Sequence, residues 1–162
     1  MNNLRFVAVT RFNNNTWQEN VNYRKKNELL GCCYGTPVML PDNIPIGAII
    51  YVLEMNNETN KIMGIGLIRN FNRCDKRYCI YSDGNYNRYN YSSNYRINRS
   101  ELKKYNEIFL KNMEYLVFKG YTHMKRGYGI QLVTDKKYDE LIYSKRKVLK
   151  IVRNMFIEKY VY

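Results

Sequence analysis

The stretch IGAIIYVLEM, Ile46–Met55, followed after the turn residues NNETN by KIMGIGLI, Lys61–Ile68, decides how the rest of the chain is read. Its first run is almost continuously apolar, the pattern of a strand buried on both faces. Asn56-Asn57-Glu58-Thr59-Asn60 supplies turn chemistry, so the two runs predict an antiparallel hairpin. Gly64 and Gly66 stand two apart in the returning strand and therefore share a face. The missing Cβ atoms there let another backbone or a packed helix approach closely.

Upstream of the hairpin, LRFVAVT (Leu4–Thr10) reads as a first strand. Arg11–Tyr34 is polar, with a short helix expected near Tyr23–Leu30. Pro37, Pro41 and Pro45, the only prolines, break any regular element before the hairpin. Downstream, Arg77–Tyr81 and Arg88–Ile97 are strand candidates on either side of the turn dipeptide Asp83-Gly84. Ser100-Glu101 has the form of an N-cap and first turn. Leu102, Tyr105, Phe109, Met113 and Leu116 then recur at helical spacing, which predicts a helix over Glu101–Val117. Lys119–Gly129 is a basic loop punctuated by glycine. A further strand follows, and Asp135 opens a last helix, about Tyr138–Tyr160, with Leu141, Val148, Ile151, Val152, Met155 and Phe156 inward. The expectation is one α+β domain over 1–162: a small curved mixed sheet or partial β-barrel flanked by helices, not a doubly wound parallel fold.

Twenty-seven Lys and Arg stand against 14 Asp and Glu, a net charge of +13. An excess of that size on a small domain attracts polyanions, of which nucleic acid is the commonest. An AT-rich coding bias inflates Lys and Asn without any binding role, but it accounts less well for 12 arginines. Cations concentrate in two segments, Arg69–Arg99 and Lys145–Lys159. No apolar run reaches the roughly 18–20 residues that cross a bilayer, and the first residues carry no signal-peptide pattern. A soluble intracellular protein is expected, with no membrane partner.

Four cysteines, Cys32, Cys33, Cys74 and Cys79, include no Cys-x-x-Cys pair, and the single histidine, His123, is remote from them in sequence. That spacing argues against structural zinc, and reduced thiols are the default. No metal or cofactor is expected. Enzyme signatures are equally thin: there is no Gly-x-Ser-x-Gly, and Gly127-Tyr128-Gly129 lacks the rest of a phosphate-binding loop. An enzyme acting on nucleic acid through His123 is the weakest alternative, since catalysis needs several groups in one place.

Binding residues are better supplied. Tyr78, Tyr81, Tyr86, Tyr89, Tyr91 and Tyr95 are interleaved with Arg88 and four asparagines. Aromatic faces stack on bases while Arg and Lys follow the phosphates. Tyrosine also suits half-buried sheets, so at least half of these rings are expected to be structural. The candidates from this region are Tyr81, Tyr86, Arg88, Tyr89 and Arg96. His123, Lys125 and Arg126 form the second group, two cations beside glycines that free backbone amides for a phosphate. Trp17, with Asn20 and Arg24 after it, forms the third: a lone tryptophan outside any apolar run suits the wall of an aromatic pocket. The expected partner is nucleic acid, RNA ahead of DNA. The rival reading is a virion or complex-assembly protein whose basic face meets protein or packaged genome without reading bases.

Ile44–Val52 followed by Lys61–Ile68 resembles the central hairpin of PUA-like domains, closest to the EVE and YTH branches. Arg5–Thr10 followed by Thr16-Trp17 and a short helix is similar to the YTH arrangement, and Glu140–Phe156 falls where that fold has its closing helix. These families bind nucleic acids carrying modified bases, and YTH domains enclose N6-methyladenine in an aromatic cage. The resemblance implies that Trp17 is one cage wall. As this chain has a single tryptophan, a tyrosine from Tyr78–Tyr89 stands in for the second. The phrases Val52–Asn57, Asn85–Tyr89, Phe118-Lys119-Gly120 and His123–Gly127 also resemble an uncharacterised protein group of large DNA viruses. That likeness implies the cytoplasm of an infected host cell, or the virion, and a viral protein partner.

Overall fold

A computed structural model describes residues 4–161. Five strands form one mixed sheet, in the spatial order Arg96–Asn98, Lys61–Arg69, Ile49–Asn56, Arg5–Phe12 and Gln131–Leu132. Its centre is β1 (Arg5–Phe12) lying parallel to β3 (Ile49–Asn56), which pairs antiparallel with β4 (Lys61–Arg69). The expected hairpin is therefore present, with Val52 opposite Gly66 and a register shift between Leu53 and Met55. Seven of the eight residues of β3 are buried, as a strand covered on both faces requires. Two short edge strands complete the sheet: β6 (Arg96–Asn98) against β4 and β7 (Gln131–Leu132) against β1. A separate two-stranded ribbon joins β2 (Cys32–Thr36) to β5 (Tyr89–Ser93). The architecture is α+β, and the sheet does not close into a barrel.

Side chains alternate across the central strands and feed two cores. Val7, Val9, Tyr51, Leu53 and Met55 face α2 (Arg99–Phe118) and α3 (Lys145–Tyr160), where Leu102, Phe109, Leu116, Val152 and Phe156 meet them. Ala8, Phe12, Ile50 and Val52 face the other way, under the β2–β5 ribbon and α1 (Asn14–Lys26). Gly64 and Gly66 lie on this second side. A Cβ on Gly66 would stand 2.1 Å from the Tyr34 hydroxyl oxygen and 2.7 Å from Cys32 Sγ. A Cβ on Gly64 would stand 2.5 Å from Arg96 Nη2. The expected close approach is present but is made by no helix: side chains of the ribbon fill the space at Gly66, and Arg96, Glu54 and the Ile97 carbonyl fill it at Gly64.

Several expected elements differ. The first helix begins at Asn14, not near Tyr23, because Asn13 and Thr16 form a reciprocal capping box, and it ends at Lys26. The ribbon strand β2 lies in a stretch read as polar loop and helix. Arg77–Tyr81 is not a strand: the Asn87 carboxamide accepts from both Ile80 N and Tyr81 N and donates to Tyr81 O. One side chain takes the bonds a neighbouring strand would have made. Arg88–Ile97 is divided between β5 and β6, which join different sheets. The cap of α2 is Asn98 rather than Ser100, and within α2 Asn106 leaves the helical conformation while its side chain caps Phe109. Asp135–Glu140 forms a 3-10 turn, and the last helix starts only at Lys145, capped by Ser144.

All four cysteines are free; Cys32 and Cys33 are buried, Cys74 and Cys79 exposed. Burial pushes the Cys32 thiol up to about 11 and Cys33 up to about 12, against an ordinary 9.0. A thiol reagent near neutral pH is therefore expected to modify two thiols quickly and the other two only after unfolding. Above the ordinary thiol value the unfolded chain releases these protons before the folded one does. Stability is thus full below about pH 9 and falls as pH rises toward the folded values. Four equally fast thiols would contradict this burial.

Candidate nucleic-acid interface

A cleft of about 440 Å³ opens at the carboxyl end of the parallel pair β1/β3. Thr10, Arg11 and Phe12 form its floor, and the start of α1 contributes Asn13, Thr16 and Glu19. Tyr81, Asp83 and Tyr86 stand on one side. Lys125, Gly127, Tyr128 and Gly129 stand on another, with Asn57 from the β3–β4 turn.

Each wall is held by specific bonds. Glu19 accepts from Ser82 N, tying α1 to the 82–86 segment. Arg11 clamps the 124–131 loop: Nη1 donates to Met124 O at 3.1 Å and Gln131 Oε1 at 2.9 Å, and Nη2 donates to Gly129 O at 3.2 Å. Asn57 Nδ2 donates to Lys125 O at 2.8 Å, and Lys125 N donates to His123 Nδ1 at 3.2 Å. Gly127 and Gly129 both take positive φ, which lets this loop turn back over the cleft.

The electrostatics follow from those partners. Every acceptor of the Arg11 guanidinium is neutral, its Nε has no partner, and no carboxylate pairs with it among the described residues. Burial lowers its pKa, the signature of a cation partly stripped of water. Two of the first amides of α1 are used, Asn14 N by Glu58 and Thr16 N by the Asn13 cap. The charged side chains lining the cleft are Arg11 and Lys125 with the carboxylates Glu19 and Asp83, which accept from the Ser82 and Asn85 amides. Tyr86 and Tyr128 are substantially exposed there, at 39% and 61%. Tyr81 is buried, and its hydroxyl accepts from Asn20.

The structure divides the eleven candidates. Tyr81, Tyr86 and Lys125 line the cleft. Trp17, Asn20, Arg24 and Arg96 form a connected cluster, with Asn20 and Arg96 buried and Trp17 and Arg24 partly so. The Arg24 and Arg96 guanidinium carbons lie 5.3 Å and 5.5 Å from the Trp17 ring centre, and Phe12 meets the ring edge-on. Asn20 Oδ1 accepts from Arg24 Nε, and Asn20 Nδ2 donates to Cys33 O. Arg96 grips Glu54 through Nε and Nη2, the shortest contact being 2.6 Å, and Glu54 also accepts from the Tyr34 hydroxyl. Trp17 is thus in contact with cations of its own chain and is not in the cleft wall. Arg88 stacks over Tyr89, away from the cleft lining. His123 and Arg126 line a second cavity of about 310 Å³.

Arg11, Asn57 and Tyr128 escaped the sequence reading. A single arginine closing an apolar strand carries no motif, and its loop partners lie more than a hundred residues away. Tyr128 was within reach, since it stands in the basic loop already singled out. Among the described residues no group of three or more His, Cys, Asp or Glu is placed to hold a metal, and no helix is long and apolar enough to cross a membrane. No family model, curated protein or solved structure matches this chain.

Proposed function

We propose that this chain is a nucleic-acid-binding module that holds one base of a single strand in the cleft at the end of β1. One observation carries the reading: a cleft of ligand-binding size joins Arg11, a cation whose direct hydrogen-bond acceptors are all neutral, to exposed tyrosine faces. Tyr86 and Tyr128 supply stacking surfaces, and Arg11 and Lys125 supply charge for the phosphates. The net charge of +13 draws the polyanion in. RNA is the favoured strand, and a modified base such as N6-methyladenine is the finer form of the proposal. A PUA-like architecture of EVE or YTH type, acting in the infected cell's cytoplasm or the virion, is the finer reading of fold and setting. We read the chain as a binding module, and the alternative of an enzyme with His123 as base is disfavoured, because its Nδ1 lone pair is spent on a backbone amide and the neutral ring's hydrogen is on Nε2.

A second reading rests on α3. Arg146, Lys147, Lys150 and Arg153 are exposed and make no ion pair among the described residues. Such a face suits an assembly protein that meets nucleic acid or an acidic partner without reading bases.

Fluorescence anisotropy separates the two. Labelled oligomers of about 12 nucleotides are compared as single and double strands of RNA and DNA, with and without N6-methyladenine. The cleft reading expects a preference for single strands and a clear loss of affinity in Lys125→Glu, with a shallower salt slope. Equal binding to every oligomer, unchanged by Lys125→Glu, would favour the α3 face instead.

A further inference from the structure

The loop that closes the cleft has a second side. His123 and Arg126 face a separate cavity of about 310 Å³, bounded by β7 and by the 3-10 turn that carries Lys136 and Lys137. Lys137 is buried, and its Nζ is held by Thr122 Oγ1 at 3.0 Å and by Glu140 at 3.5 Å. Thr122 donates to the same carboxylate at 2.6 Å. Glu140, the one carboxylate lining this cavity, is therefore already paired and leaves little charge to repel an anion. Arg126 and Lys136 are exposed and make no ion pair among the described residues. Because His123 Nδ1 accepts from Lys125 N, the neutral ring carries its hydrogen on Nε2, a further donor.

We infer that this cavity is a phosphate subsite, taking a backbone phosphodiester of the same strand whose base occupies the cleft. The inference rests on the nucleic-acid reading above and adds a direction to it: the strand passes over the 123–129 loop. Arg11 joins the two sites mechanically. One of its nitrogens holds Met124 and Gln131, which line the cavity, while the other holds Gly129, which lines the cleft. Consecutive loop residues then serve opposite sides, Lys125 in the cleft and Arg126 in the cavity. A mononucleotide would use one site, and an oligonucleotide would use both.

The test compares the unaltered chain with the double variant Arg126→Ala/Lys136→Ala, whose exposed side chains are not needed for folding. Two probes are used: adenosine, followed by amide chemical shifts, and a single-stranded RNA of about 12 nucleotides, followed by anisotropy at about 50 and 200 mM salt. The double variant is expected to bind adenosine as before, with shifts at Tyr86 and Tyr128. Its logarithmic salt slope for the RNA should be shallower by about 0.7, one single-strand phosphate contact, so raising the salt costs about 2.6-fold less affinity than in the unaltered chain. An unchanged slope would overturn the subsite and leave the cleft reading standing. Inorganic phosphate that fills the cavity without displacing the RNA would also overturn it, making this a small-anion site. If the unaltered chain binds no RNA, the nucleic-acid reading and the subsite fall together.

Discussion

Glu54→Gln is expected to lower the unfolding free energy by about 3–5 kcal/mol, the cost of leaving one member of a buried ion pair without its partner. Glu54 is 1% exposed and Arg96 8%, and three contacts of 2.6–3.1 Å join them. Because Glu54 outweighs the burial cost, Arg96 keeps its charge at any ordinary pH, its pKa raised above the usual arginine value. Arginine keeps its proton in proteins even without a carboxylate partner, so the variant strands a cation rather than neutralising it. For a chain of this length the melting temperature should drop on the order of 6–20 °C. The double variant Glu54→Gln/Arg96→Met removes both charges and should lose less than the single one, as a melt in urea would read. A single variant within about 0.5 kcal/mol of the parent, the scale of an ordinary surface change, would show that this pair does not organise the second core. The pair also adjoins the candidate site, since Arg96 lies over the Trp17 ring and Trp17 packs on Phe12, which lines the cleft.

Truncating the cleft's exposed rings should have the largest effect on binding. A base stacked on an aromatic face contributes about 1–3 kcal/mol, so Tyr86→Ala or Tyr128→Ala should weaken single-strand binding by about 5- to 140-fold. Neither ring is core, so both variants should melt close to the parent. Tyr81→Ala makes the contrast: it empties a buried position and removes the Asn20 partner, so it should cost stability first. Loss of binding without loss of stability at Tyr86 and Tyr128 would mark them as ligand contacts. Affinity unmoved by either change would remove stacking from the account.

How much was legible in the sequence divides along a physical line. The β3–β4 hairpin was readable because its signals are local: an apolar run, turn residues and two glycines in phase. The ribbon strand CCYGT was not, since all five residues are buried by what packs on them and β5 pairs across from almost sixty residues away. Helix starts at Asn14 and Lys145 depended on which of several Asn and Ser residues formed the cap, a choice made by side-chain geometry. At the candidate site, Tyr86 and Lys125 were visible as aromatic and basic clusters. Arg11 and Asn57 became visible only when β7 paired with β1 and brought the loop over them. Trp17 had the composition of a pocket wall, but Arg24 from its own helix and Arg96 from β6 already lie over it.

The most direct measurement is photocrosslinking of a single-stranded RNA of about 12 nucleotides carrying one 4-thiouracil, with the attached peptides read by mass spectrometry. Attachment is expected in the peptides bearing Tyr86 and Tyr128, abolished by competing unlabelled strand. Attachment confined to Lys145–Lys159 would contradict it and make the α3 face the site of contact.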